Sequence, residues 1–156
     1  MLFKLINNIE DILSSLLIAI MSIFAFLNVI SRHFISMPMN FAEELNVYLF
    51  VWLAFLGSAR AVYTNTHLSV NLIYDLFSNR FRKYIYLCTQ FVAIMFFASL
   101  AYCGYVEILD EIALNALTET LTVPVWLFTS SILFGSVLVI FRIVQRTYLD
   151  IKHATY

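Results

Sequence analysis

The sequence is short of charge. Only 12% of its 156 residues are Asp, Glu, Lys or Arg, and 62% are hydrophobic. An ordinary soluble domain carries about a quarter charged residues. This chain cannot solvate its own surface, which excludes a free-standing soluble domain. Glycine and proline are scarce, at three and two residues, which excludes collagen-like and low-complexity chains. Low hydrophobicity, the condition for intrinsic disorder, is also missing. There is no basic excess: nine Lys and Arg face ten Asp and Glu, for a net charge of −1. Nucleic-acid binding needs a clustered basic face and is not expected. The two cysteines, Cys88 and Cys103, form neither a CxxC nor a zinc-ligand set and read as packing residues. GxSxG, HExxH and glycine-rich phosphate loops are absent from the sequence, so no enzyme is expected.

Long apolar runs are what the chain has in abundance. They cover residues 12–31, 42–63, 84–106 and 123–144. A crossing helix needs roughly 20 such residues. The runs are continuous rather than alternating, so they predict helices and not barrel strands. The first run lacks a small-x-small cleavage pattern and is read as a retained span. The expected fold is therefore an all-α membrane protein with four transmembrane helices in a single membrane domain over residues 1–156.

Charge placement predicts orientation. Lys4, Arg60, Arg80, Arg82, Lys83, Arg142, Arg146 and Lys152 fall on one side, and Arg32 alone falls on the other. By the positive-inside rule both termini are cytoplasmic. His33 and His67 then lie on opposite sides, which argues against a haem or metal held between them.

Two segments between the spans are amphipathic. Over 66–80, Leu68, Leu72, Ile73, Leu76 and Phe77 share one face opposite Asn71, Tyr74, Asp75 and Ser78, predicting a helix in the cytoplasmic interface. Over 107–120, Glu107, Asp110, Glu111, Asn115, Thr118 and Glu119 recur at helical spacing. The third helix is therefore expected to continue past the outer face. Thr122 and Pro124 suit the N-cap and first turn of the last helix. The first dozen residues are also amphipathic.

Polar residues within the spans are Ser, Thr, Gln and Asn, with no charge at any span centre and no Gly/Pro-broken helix pair of the kind that builds substrate sites. Mid-span Ser and Thr are expected to pack or to bond back to their own helix. The most unusual cluster surrounds the second span. Glu43 and Glu44 mark its outer end and Arg60 its inner end, with Trp52 and Gly57 between. Residues 45–59 reach only about 22 Å, so Glu44 and Arg60 lie close to the apolar boundary. Arg60 is expected to snorkel to headgroups. Glu44 either pairs with Arg32 or a partner protein, or is a solvated acid at headgroup level.

The run Asn40-Phe41-Ala42-Glu43-Glu44-Leu45, then Val51-Trp52-Leu53-Ala54-Phe55-Leu56-Gly57-Ser58-Ala59, then His67-Leu68-Ser69-Val70-Asn71 resembles the small membrane subunit of TRAP (tripartite ATP-independent periplasmic) transporters, DctQ type. Arg32, Glu44, Trp52, Gly57, His67 and Asn71 carry the likeness, with Asn71 where Asp is commoner. The resemblance implies a multi-pass protein of the bacterial inner membrane that acts as a fixed, non-catalytic scaffold. Its implied partners are a large elevator-type membrane subunit, a periplasmic substrate-binding protein and membrane lipids. The implied cargo is an organic acid of the sialic acid or C4-dicarboxylate class. No cofactor is implied for this chain, sodium being handled by the large subunit. Glu107, Asp110, Glu111 and Glu119 either help to dock the binding protein or form a plain solvated face. The alternative reading is a stand-alone small proton-coupled transporter, disfavoured because the acids lie at span ends.

Overall fold

A computed structural model describes residues 2–35, 39–64 and 79–153. Its elements are α1 (Leu2–Ile30), a π-helical turn (Ser31–Ile35), α2 (Asn40–Thr64), α3 (Asn79–Ala113) and α4 (Trp126–His153). All four α-helices contain a stretch long and apolar enough to cross a membrane. The amphipathic segment expected over 66–80, with His67 and Asn71, lies almost wholly outside the described residues.

The helices stand in a row. α1 packs on α2, α2 on α4, and α4 on α3. Side chains near the starts of α2 and α4 meet at one end of the row, as Tyr48 stacks on Phe128. Side chains near the ends of the same helices meet at the other, where Arg142 lies over Tyr63. These two inner helices therefore run parallel, and α1 and α3 run opposite to them. The end holding Glu10, Arg60 and Arg142 is called here the ion-pair end, and the end holding the 114–125 connection the hairpin end.

The interior is thin. Ala59, Val139 and Ile143 form its centre, with Phe55, Val62, Leu138 and the α3 residues Ala93, Ile94 and Phe97 packed around them. α1 contributes no buried apolar side chain among the described residues; Glu10 is buried on it, and Ser31 is buried just beyond its end. Meanwhile Phe26, Phe50, Phe91 and Phe96 are mostly exposed. This inversion suits a chain solvated by lipid tails, in which apolar exposure carries no penalty and packing depends on shape and polar contacts.

Two glycines set the spacing of α4 from its neighbours, Gly135 against α2 and Gly104 of α3 against α4. A Cβ on Gly135 would run into the Phe55 ring, and one on Gly104 would lie 3.1 Å from Ile132. Beyond its own helical turn, no described residue lies within 4 Å of where a Cβ on Gly57 would be. Mid-span hydroxyls bond back to their own helices, among them Ser22 to the Ile18 carbonyl, Ser58 to Ala54 and Thr89 to Ile85.

The third helix is shorter than the polar spacing suggests. It ends at Ala113, where Asn115 adopts a left-handed φ of 49°. The Ala116 amide donates to the Glu111 carbonyl at 3.0 Å and the Asn115 amide to Ile112 at 3.2 Å, the two bonds of a Schellman motif. The periodicity through Glu119 therefore does not mark a helix. Thr122 is likewise no N-cap: its φ is 53° and its hydroxyl bonds to the Leu121 carbonyl at 2.7 Å. Pro124 sits just before α4, bridged to Leu117; its carbonyl receives the Leu127 amide, and the Val125 carbonyl receives those of Phe128 and Thr129.

Candidate functional site

Polar side chains gather at the two ends of the row. At the hairpin end, Glu43 lies in the first turn of α2, where a carboxylate is favoured by the helix dipole. Its Oε1 accepts from Asn28 Nδ2 at 2.9 Å, and Asn28 Oδ1 accepts from the Met39 amide at 3.0 Å. One side chain near the end of α1 thus holds the start of α2. Phe24 and Phe41 add an edge-to-face contact at 6.3 Å between the same helices.

Glu44 turns the other way. Its Oε1 accepts from the Glu119 amide at 3.1 Å, and its Oε2 from the Thr120 and Leu121 amides at 3.1 and 3.3 Å. Three successive backbone N–H groups converging on one carboxylate make a nest, an anion-binding concavity. The hairpin that offers them is closed by Thr118, whose Oγ1 accepts from the Val123 amide at 3.1 Å while its own amide donates to the Val123 carbonyl at 2.9 Å. Among the described residues no ion pair joins Glu44 to Arg32, which is exposed in the π-helical turn. The expected internal partner is therefore replaced by backbone amides some 75 residues away in sequence. Below the nest, Tyr48 stacks on Phe128 at 4.1 Å, and Thr129 donates to Glu111 Oε1 at 2.7 Å.

The ion-pair end joins all four helices. Arg142 of α4 grips Glu10 of α1 through two contacts, Nε–Oε1 at 2.9 Å and Nη2–Oε2 at 2.7 Å. The two side chains are 0% and 4% exposed, so this charge pair is removed from solvent. Its cost is offset by the fork geometry, by Gln145 accepting from Nη1 at 3.0 Å, and by the Tyr63 ring 4.8 Å from the guanidinium. Arg60 of α2 bonds Asp11 of α1 at 2.8 Å. Arg146 meets Asp150 one turn on at 3.0 Å, and Tyr86 of α3 donates to the same carboxylate at 2.8 Å. Arg60 thus has a protein partner and not only the headgroups it was expected to reach.

From the sequence, Arg142 and Arg146 serve only as topology signals and Arg60 also as the snorkelling residue at the inner end of the second span, and the carboxylate partners of all three go unread. The signal was present: Glu10-Asp11 flank the apolar part of α1, and Arg142, Arg146 and Asp150 repeat every four residues. Of the other expected site residues, Trp52 is half-buried on α2, while Glu107, Asp110 and Glu119 have exposed side chains. Glu119 enters the hairpin contact by its backbone alone.

Comparison with known proteins agrees with this architecture. A Haemophilus influenzae protein assigned as a TRAP transporter small permease is 43% identical over 68 residues, which cover 44% of this chain and 42% of that protein. The sialic acid TRAP transporter small permease protein SiaQ of Vibrio cholerae is 24% identical over 151 residues, covering 95% of this chain and 84% of SiaQ. The C4-dicarboxylate TRAP transporter small permease protein DctQ of Rhodobacter capsulatus is 29% identical over 104 residues, covering 67% and 46%. The chain spans less than half the length of two of these three relatives. The family described as "Tripartite ATP-independent periplasmic transporters, DctQ component" matches residues 21–153. With four membrane-spanning helices and that match, the chain belongs to the DctQ family of TRAP small permease subunits, proteins of the inner membrane.

Proposed function

We propose that this chain is the fixed, non-catalytic scaffold of a sodium-coupled TRAP importer. It holds the large membrane subunit, while sodium and cargo are handled there. The cargo class follows the relatives, whose names specify sialic acid and C4-dicarboxylate. The ion-pair end faces the cytoplasm, in line with its eight Lys and Arg against Arg32 alone at the other end. The hairpin end then faces the periplasm, where its acidic residues are placed to help dock the substrate-binding protein.

One observation carries the reading: α2, an inner helix of the row, keeps one face open. Val47 and Phe50 are 63% and 59% exposed, and Ala54 and Gly57 continue the same 3–4 spacing. Small residues in a span let another backbone come close, and among the described residues none beyond its own helical turn lies within 4 Å of a Cβ at Gly57. The large subunit is the occupant that a small TRAP permease calls for.

The test is copurification. The tagged chain is expressed with a large TRAP subunit and a substrate-binding protein from the same organism. Gly57→Leu should lower recovery of the large subunit about tenfold or more, with the isolated chain as heat-stable as its parent. Undiminished recovery and transport in proteoliposomes would remove this face as the contact. Uptake by the chain alone would instead favour the stand-alone transporter. A thiol placed beyond His153 that reacts with an impermeant reagent in intact spheroplasts would reverse the orientation.

A further inference from the structure

The tyrosines and tryptophans of the described helices fall into two groups. Tyr48 stacks on Phe128, Tyr63 lies under Arg142, Tyr86 donates to Asp150, and Trp52 is half-buried. Tyr84, Tyr102, Tyr105 and Tyr148 are more than half exposed and Trp126 more than a third. None of these five side chains makes a hydrogen bond among the described residues. All five belong to α3 and α4, whereas α1 contains no Tyr or Trp and α2 exposes none. They also gather in two bands. Tyr84 and Tyr148 lie toward the ion-pair end, and Tyr102, Tyr105 and Trp126 toward the hairpin end. Tyr84 and Tyr102 stand about 27 Å apart on one face of α3, and Trp126 and Tyr148 about 33 Å apart on one face of α4. A hydrocarbon core is about 30 Å thick. Tyr and Trp collect at its two boundaries, with the ring in the apolar layer and the polar tip in the wet one.

We propose that the outer faces of α3 and α4 are the lipid boundary of the assembled transporter, with headgroups at the two aromatic bands, and that the large subunit sits elsewhere on the chain. The proposal rests on the scaffold reading above and adds which surface the large subunit leaves free. Between the bands the open side chains are bulky and apolar, with Phe91, Met95 and Phe96 on α3 and Phe134, Val137 and Phe141 on α4. Hydroxyls on the α3 face close on their own helix, Thr89 on Ile85 and Ser99 on Phe96. The glycines of these helices are turned inward, Gly104 to Ile132 and Gly135 to Phe55. Neither helix therefore offers a neighbour the notch that α2 has at Gly57. Charge agrees. Arg80, Arg82 and Lys83 open α3, Lys152 stands near the end of α4, and residues 79–106 contain no acid. This end is complementary to the anionic headgroups of a cytoplasmic leaflet. A protein seated on these faces would have to supply partners for the five polar tips, which headgroups and their water supply at no extra cost.

The experiment reads nitroxide labels on single cysteines. Cys88 and Cys103, the two native cysteines, are free and exposed on α3. Cys103→Ala leaves Cys88 for labelling. With both replaced by Ala, Met95→Cys reports on α3, Val144→Cys on α4 and Phe50→Cys on the open face of α2. Each full chain is placed in phosphatidylcholine nanodiscs, alone and in complex with a large TRAP subunit from the same organism. Collisions with oxygen, which enters hydrocarbon, are compared with those of a water-soluble nickel chelate. In the isolated chain the oxygen preference should be greatest at position 95 and lower at Cys88, nearer a band. On assembly, oxygen collisions should stay unchanged at 95 and 144. At position 50 they should fall severalfold, or the label there should block assembly. A severalfold fall at 95 or 144, or a label at either that blocks assembly, would overturn the proposal and leave the scaffold reading intact. Nickel access exceeding oxygen access at 95 in the isolated chain would overturn the placement of the bands. A parent chain that recovers no large subunit would overturn the scaffold reading and this proposal together.

Discussion

Individual residues at the two ends of this protein differ in what their loss should cost, and burial decides the order. The Arg142–Glu10 pair is out of solvent, whereas in the Arg60–Asp11 pair the side chains are 31% and 50% exposed. Glu10→Ala leaves a guanidinium buried beside Tyr63 and should cost about 3–5 kcal/mol. Replacing both partners by apolar residues, Glu10→Leu with Arg142→Met, should recover most of that. Asp11→Ala should cost no more than about 1 kcal/mol. Thermal unfolding in detergent checks the ranking, and equal losses at Glu10 and Asp11 would contradict the burial argument. At the other end, Glu44→Ala should cost about 1–2 kcal/mol, since the three amides it serves sit where water can replace it. Amide exchange at Glu119, Thr120 and Leu121 should quicken in that variant while α3 and α4 stay protected. These residues also show what a sequence conceals. Glu44 stood out because an acid at a span end needs a partner, but its partners are backbone amides, which look alike at every position.

Helices are where the sequence was most legible, and the reason is physical. A span must satisfy its own backbone in lipid, so a long apolar run is nearly sufficient to specify a helix. The ends of α3 and α4 were less legible. Polar residues at helical spacing continue past Ala113, yet Asn115 takes the left-handed conformation and the Schellman bonds stop the helix. Asn tolerates that conformation better than most residues, but many Asn residues do not adopt it. The glycines make the same point. Gly57 carries the family likeness and is open, while Gly135 lies against Phe55. Gly135→Ala should therefore destabilise the isolated chain by about 1–3 kcal/mol, and adding Phe55→Ala should relieve the clash in part. Gly57→Ala should be silent in the same unfolding assay. A destabilised Gly57→Ala would place a close neighbour where none is seen.

At the scale of the whole molecule, a four-helix row is held mainly at its ends. α1 buries no apolar side chain among the described residues and is fastened by Glu10 and Asp11 at one end and by Asn28 at the other. Removing the fastenings at both ends, with Glu10→Ala, Asp11→Ala and Asn28→Ala together, should free α1 from the other helices. A spin-label distance between positions 18 and 54 should then broaden, while one between α2 and α4 stays sharp. An unchanged α1 distribution would mean that lipid packing alone holds it. A row of this kind leaves wide apolar faces, which suits a brace for a larger membrane protein.

The sequence by itself determined that there are four membrane-crossing helices, because run length and apolarity decide whether a segment can lie in hydrocarbon. It also showed where the polar groups collect, since charge is excluded from span centres. Only the tertiary structure decided how those groups pair. Arg142 finds Glu10 and Glu44 finds the 119–121 amides because the row brings together residues 132 and 75 positions apart. A pairing of that kind is set by the geometry of packed helices; one chain's composition and spacing offer candidate partners but do not choose among them.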